Sequence, residues 1–165
     1  MRGKFNGRPG AGRPINTNRA TLPPLGHYMR EFAREQPLIL VVDQDQAVLD
    51  EMVAVLASGG FACHCCLTAE AALAAGPLLL PDLIVADVHL EGTSGVEVCA
   101  QLTQHESLAD VPVMFLSAGQ IPDIIRRRDG GHGTYYLRKP FDPAVLAELI
   151  EHALGAPQAM AVRAV

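Results

Sequence analysis

The chain has 165 residues, 49 % of them apolar and 19 % charged, with 13 Lys and Arg against 18 Asp and Glu for a formal net charge of −5. That supports one ordinary core with some chain to spare, which excludes two large catalytic domains. Met1 to Gly12 holds no apolar run of the kind a secretory signal needs, and no stretch reaches the ~20 apolar residues of a membrane helix. The four cysteines are therefore expected to be reduced thiols in a cytoplasmic protein, and a disulfide-stapled miniprotein is excluded.

Charge is unevenly placed. Residues 1–36 carry seven basic and two acidic side chains, a net charge of +5, and the remaining 129 carry −10. The first segment also contains five Gly, four Pro and three Asn and has no apolar period, so its burial cannot offset the entropy of ordering it. It is expected to be a disordered basic extension. Two readings stay open: an arm for nucleic acid or an anionic membrane, and a passive tail or upstream sequence ahead of a start at Met29.

The pattern changes at Pro37. Leu38 to Val42 is a continuous apolar run that stops at Asp43, which predicts a strand buried on both faces. Val48, Leu49, Met52, Val55 and Leu56 follow at helical spacing, and Ser58-Gly59-Gly60 ends that helix. Phe61 to Leu67 reads as a second strand, and Thr68 caps an alanine-rich helix to about Ala75. Asp82 to Ala86 is a third buried strand ending at Asp87, and Ser94 to His105 is helical by the spacing of Val96, Val98, Cys99 and Leu102. Val111 to Leu116 is a strand ending at Ser117. A short helix over 122–128 stops at Gly130-Gly131, Thr134 to Leu137 is the fifth strand, and Pro143 to Leu154 is the last helix. Five strands alternating with five helices predict an α/β fold, a parallel sheet covered on both faces by right-handed crossovers.

Such sheets gather their chemistry outside the carboxyl ends of the strands. The residues there are Asp43, Asp87, Ser117 and Lys139. Each alone is ordinary turn chemistry. Together, two carboxylates, a hydroxyl and an ammonium suit a hard dication and a phosphoryl group.

The segments VVDQD at 41–45, DLIVADVHLEGTSG at 82–95, PVMFLSA at 112–118 and YLRKP at 136–140 carry a more specific signal. So do the separations: eight from Asp87 to Gly95, 30 from Asp87 to Ser117 and 22 from Ser117 to Lys139. Over 37–155 the chain resembles the receiver domain of bacterial two-component response regulators. The resemblance implies a three-layer flavodoxin-like (βα)5 domain with strand order 2-1-3-4-5, between the extension at 1–36 and a tail at 156–165. It implies that Asp87 accepts phosphate, that Ser117 and Lys139 bind the phosphoryl oxygens, and that Ser117 and Tyr136 form the switch. It also implies that Lys139-Pro140 is cis, and that Mg²⁺ is held by Asp43, residue 44, Asp87 and the backbone carbonyl of His89.

The implied role is a phospho-accepting switch, not a turnover enzyme, that catalyses only its own phosphorylation and dephosphorylation. Its expected partners are a sensor histidine kinase or histidine phosphotransfer protein and a downstream protein target, with a homodimer through the faces of the fourth and fifth helices as an option. No DNA-binding domain and no membrane attachment are expected, since about ten residues follow the last helix.

Three departures qualify the resemblance. Gln44 stands where the family usually has a second acid, which removes one negative charge from the metal site and predicts weaker Mg²⁺ binding. Asp45 points the other way in an extended segment and is a poor substitute. Glu91 replaces a proline of the acceptor loop, and His132-Gly133 replaces a small-residue step. A phosphorylation-independent adaptor is thus one rival. A haloacid-dehalogenase-type phosphatase, started by Asp43-Gln44-Asp45, is another, though it leaves Asp87 idle and lacks a later acidic pair.

Three features are weighed beside the site. Cys63-His64-Cys65-Cys66 looks like a metal cluster, but strand alternation divides it between two faces. The His89 side chain is placed at the rim, and Arg126-Arg127-Arg128 is either a contact for an acidic partner or a solvated run.

Overall fold

The computed structural model describes residues 35–119 and 133–155. All but the last two residues of the basic extension, the helix predicted over 122–128 with Arg126, Arg127 and Arg128, and the tail from 156 lie outside the described residues. Among the described residues, no helix is long and apolar enough to cross a membrane.

Five parallel strands form one sheet: β1 (Leu38–Val42), β2 (Ala62–Cys66), β3 (Leu83–Asp87), β6 (Val113–Ser117) and β7 (Thr134–Arg138). Their order is β2-β1-β3-β6-β7, the expected 2-1-3-4-5 once a small hairpin is set aside. That hairpin, β4 (His89–Leu90) with β5 (Thr93–Ser94), follows the third strand and was not foreseen from the sequence. Gly92 turns it at φ 77°, a backbone region that glycine enters without a Cβ penalty.

The apolar runs are continuous because both faces are covered. Leu40, Val42, Ile84, Ala86 and Phe115 pack with α2 (Ala69–Leu79) and α3 (Gly95–Leu102). Ile39, Val41, Leu83, Val85, Met114 and Leu116 pack with α1 (Gln46–Ser58) and α4 (Pro143–Ala153). Each Val, Leu, Ile, Met or Phe among them adds about 1.5–3 kcal/mol on full burial.

Helix ends follow their local chemistry. The Asp45, Thr68 and Asp142 side chains accept from the amides of Ala47, Ala71 and Ala144, and Ser94 forms a reciprocal capping box with Glu97. Hydrogen bonds from Thr93 and Ser94 hold the Glu97 carboxyl below its usual range.

Most ends shift by one or two residues, and two helix ends differ by three or more. Helix α2 runs on to Leu79 through Pro77, where the alanine pattern predicts an end near Ala75. Within that added turn, a Cβ on Gly76 would lie 2.5 Å from Leu102 Cδ2, so the bare glycine lets α2 and α3 touch. Helix α3 stops at Leu102 instead of His105, and a short 3-10 turn follows over Glu106–Leu108.

Candidate functional site

Register brings the strand ends together. Val42 pairs with Ala86, Asp87 with Leu116, and Ser117 with Arg138, so β1, β3, β6 and β7 finish along one edge of the sheet. Asp43 follows β1 at 0 % exposure, Asp87 ends β3 at 8 %, and Ser117 ends β6 at 2 %. These three are the buried polar side chains among the described residues.

Lys139 joins the two carboxylates. Its Nζ donates to Asp43 Oδ2 at 2.5 Å and to Asp87 Oδ2 at 2.6 Å. Partial burial pulls the ammonium's pKa down, but the hydrogen bonds and charges of Asp43 and Asp87 outweigh that and raise it above the ordinary lysine value. The backbone aims this side chain: Lys139 N donates to the Ser117 carbonyl at 2.9 Å, and the Lys139-Pro140 bond is cis, as the resemblance implied.

The other oxygen of each carboxylate is fixed locally. Asp43 Oδ1 accepts from Asp45 N, and Asp87 Oδ1 accepts from His89 N, each at 2.9 Å. The Asp87 loop is held from behind. Gly95 N donates to the Val88 carbonyl at 3.0 Å, and a Cβ on Gly95 would fall 2.0 Å from the Asp87 carbonyl oxygen. The Asp87–Gly95 separation was visible in the sequence, but this close approach was not.

Ser117 Oγ accepts from Gly119 N at 3.2 Å, folding the chain past β6 back over the hydroxyl. Tyr136 is half-buried and stacks on Phe115, with ring centroids 6.0 Å apart and 19° between planes. Phe115 was missed in the sequence because nothing local distinguishes it from any other apolar strand residue. Cross-strand register alone pairs it with Tyr136.

Asp45 is committed elsewhere, since its carboxylate is the N-cap of α1 and accepts from Ala47 N at 2.9 Å. Gln44 is exposed beside Asp43, and His89 and Glu91 are exposed on the hairpin. The charged oxygens that this edge could offer a cation are the Asp43 and Asp87 carboxylates. An all-oxygen set of this kind fits Mg²⁺, with one charge fewer than a three-acid site.

Cys63 and Cys65 pack toward the α1 face and Cys66 toward the α2 face, so the cysteine run is divided between the two faces of the sheet. Among the described residues, no group of three or more His, Cys, Asp or Glu is placed to hold a metal ion.

Comparison with known proteins agrees with this geometry. The family model described as the response regulator receiver domain matches residues 39–151. Among curated relatives, the DNA-binding dual master transcriptional regulator RpaA of Synechocystis sp. is 38 % identical over 107 residues, covering 64 % of this chain and 44 % of the relative. The phosphate regulon transcriptional regulatory protein PhoB of Pseudomonas aeruginosa is 36 % identical over 121 residues, covering 70 % and 51 %. The chain thus spans about half the length of these relatives.

A putative response regulator from Chloroflexus aurantiacus superposes with TM-score 0.66 at 28 % identity, covering 73 % of this chain and 98 % of that one. Chemotaxis protein CheY4 of Vibrio cholerae gives TM-score 0.66 at 20 % identity over 72 % and 98 %, a likeness of fold. The sheet order, the acid–lysine cluster at its edge and the matched family model place the chain in the response regulator receiver domain family.

Proposed function

We propose that the chain is a phospho-accepting receiver of a two-component or phosphorelay system, with Asp87 as acceptor. The observation that carries this reading is the single ammonium of Lys139 shared by Asp43 and Asp87 at the ends of neighbouring strands. A carboxylate oxygen of Asp87 attacks phosphorus, the P–N bond of a partner's phosphohistidine breaks, and its electron pair leaves with the imidazole nitrogen. The product is an acyl phosphate. The chain acts by positioning and charge neutralisation, and it catalyses no chemistry other than its own phosphorylation and hydrolysis.

The obstacle is repulsion between the carboxylate and the incoming phosphoryl oxygens. Lys139 is already at the acceptor and can follow the charge onto the phosphoryl group. Ser117 supplies a hydroxyl donor on the adjoining strand once it exchanges its Gly119 contact for a phosphoryl oxygen. Asp43, Asp87, the Gln44 amide oxygen and the His89 carbonyl would hold Mg²⁺, which when bound neutralises phosphoryl charge.

Movement of Ser117 toward the phosphoryl group frees space beside Tyr136, whose ring turns inward and alters the surface around β7 and α4. That surface is read by a downstream protein, and a sensor kinase or histidine phosphotransfer protein supplies the phosphate, all in the cytoplasm. The Gln44 substitution favours a second reading, an adaptor that uses the same surface without phosphate. The haloacid-dehalogenase alternative is set aside, because the matched family is the receiver and Asp87 sits within the charged cluster. Incubation with acetyl phosphate and Mg²⁺, followed by intact-mass measurement, separates the two remaining readings: a phosphate-sized gain supports the receiver, and no gain supports the adaptor.

A further inference from the structure

We infer that Cys63 and Cys65 form a two-sulfur binding site for Cu(I) on the α1 face of β2. The two residues are separated by one position on a strand that keeps register with β1 from Ala62 to Cys66, so both side chains leave the same face. Both border the apolar cluster beneath α1, and both stay half-buried, which leaves the sulfurs within reach of solvent. His64 and Cys66 take the opposite face and play no part in the pair.

The two sulfurs meet. The Cys65 thiol hydrogen-bonds Cys63, and the Asp50 carboxylate of α1 adds negative charge at the same place. Thiolate sulfur selects soft ions such as Cu(I), and negative surroundings favour a cation. Ligand number narrows the choice further. Structural Zn²⁺ and iron–sulfur centres take four protein ligands. Among the described residues no group of three or more His, Cys, Asp or Glu is placed to hold a metal, so Asp50 acts through its field and the sulfurs stand as a pair. Two thiolates in line satisfy Cu(I).

A direct disulfide is the poorer use of these thiols. Two steps of strand rise set their Cα atoms about 6.6 Å apart, and parallel side chains keep the Cβ atoms well beyond the ~3.8 Å that an S–S bond prefers. An inserted ion spans that gap without bending the strand. Binding moves no electrons: each thiol gives one proton to solvent, two sulfur–copper bonds form, and the metal stays Cu(I).

Anaerobic competition of the reduced full chain against bathocuproine disulfonate, read by absorbance of the copper–chelator complex, tests this inference. In Mg²⁺-free buffer it is independent of Asp87 chemistry. One Cu(I) per chain is expected. Cys63→Ser and Cys65→Ser should each weaken binding about a hundredfold or more, since either turns a two-point attachment into one. Cys99→Ala should leave it within about twofold, because that thiol is buried on the other side of the sheet. Zn²⁺ should bind at least a hundredfold more weakly than Cu(I). Circular dichroism checks that the serine variants fold, and should one fail, the other decides. No Cu(I) retained against the chelator, one Cu(I) shared between two chains, binding unchanged in a folded serine variant, or Zn²⁺ held as tightly would each overturn the inference.

Discussion

Lys139 Nζ donates to Asp87 Oδ2 at 2.6 Å while its backbone amide donates to the Ser117 carbonyl at 2.9 Å, so one residue couples the end of β3 to the end of β6. The ammonium is also the cation that faces the fully buried Asp43. Removing it leaves the buried carboxylates without their cation. Lys139→Met should lower stability by about 3–5 kcal/mol, the usual cost of leaving one partner of a buried ion pair. Urea unfolding measures the loss, and a change below about 1 kcal/mol, the range of an exposed pair, would contradict the burial argument.

Gln44→Asp should tighten Mg²⁺ binding about tenfold or more, because a carboxylate replaces a neutral amide beside Asp43 and ligand charge governs affinity for hard cations. Isothermal titration calorimetry of the unphosphorylated chain reads this directly. Asp45→Asn, by contrast, should leave Mg²⁺ affinity within about twofold, since the Asp45 carboxylate is spent on the Ala47 amide and asparagine caps as well as aspartate.

Gly95→Ala adds a methyl group that would lie 2.0 Å from the Asp87 carbonyl oxygen, against backbone that cannot rotate away. Overpacking of this kind costs about 1–3 kcal/mol, more than the ~1 kcal/mol that alanine gains over glycine inside a helix. The expected result is a net loss of stability together with slower labelling of Asp87. Stability equal to wild type would show that α3 can retreat freely.

Cys99 gives a pH-dependent readout. Burial pushes its thiol from 9.0 up to about 12. A raised native value means that the unfolded chain gives up this proton first. The stability it represents is intact below the unfolded value and is lost as pH rises from about 9 toward 12. Replacing it, as Cys99→Ala, should flatten the alkaline arm of the stability curve. In the wild type, Cys99 should resist alkylation at mildly alkaline pH while the chain is folded, which mass spectrometry of the labelled peptide checks.

The parts of this fold that rest on period and punctuation were legible in the sequence. Strands buried on both faces show as unbroken apolar runs, and strand ends show where Asp43, Asp87 and Ser117 interrupt them. Gln44 was readable as a missing charge only through the resemblance, which implies an acid beside Asp43. What escaped depends on contacts between distant elements. The close approach of α2 to α3 rests on Gly76 against Leu102, and the stack of Phe115 on Tyr136 on register between β6 and β7. The β4–β5 hairpin has only two residues per strand, too few to show an alternation. The role of Asp45 lay in between: the sequence argues that it points away from the site, and the structure supplies the reason, a helix cap.

The central claim is that Asp87 is the phosphate acceptor. Intact-mass measurement after incubation with acetyl phosphate and Mg²⁺ should show a single phosphate-sized gain on the wild type and none on Asp87→Asn. A gain of equal size on Asp87→Asn, or no gain on a folded wild type at saturating Mg²⁺, would contradict it.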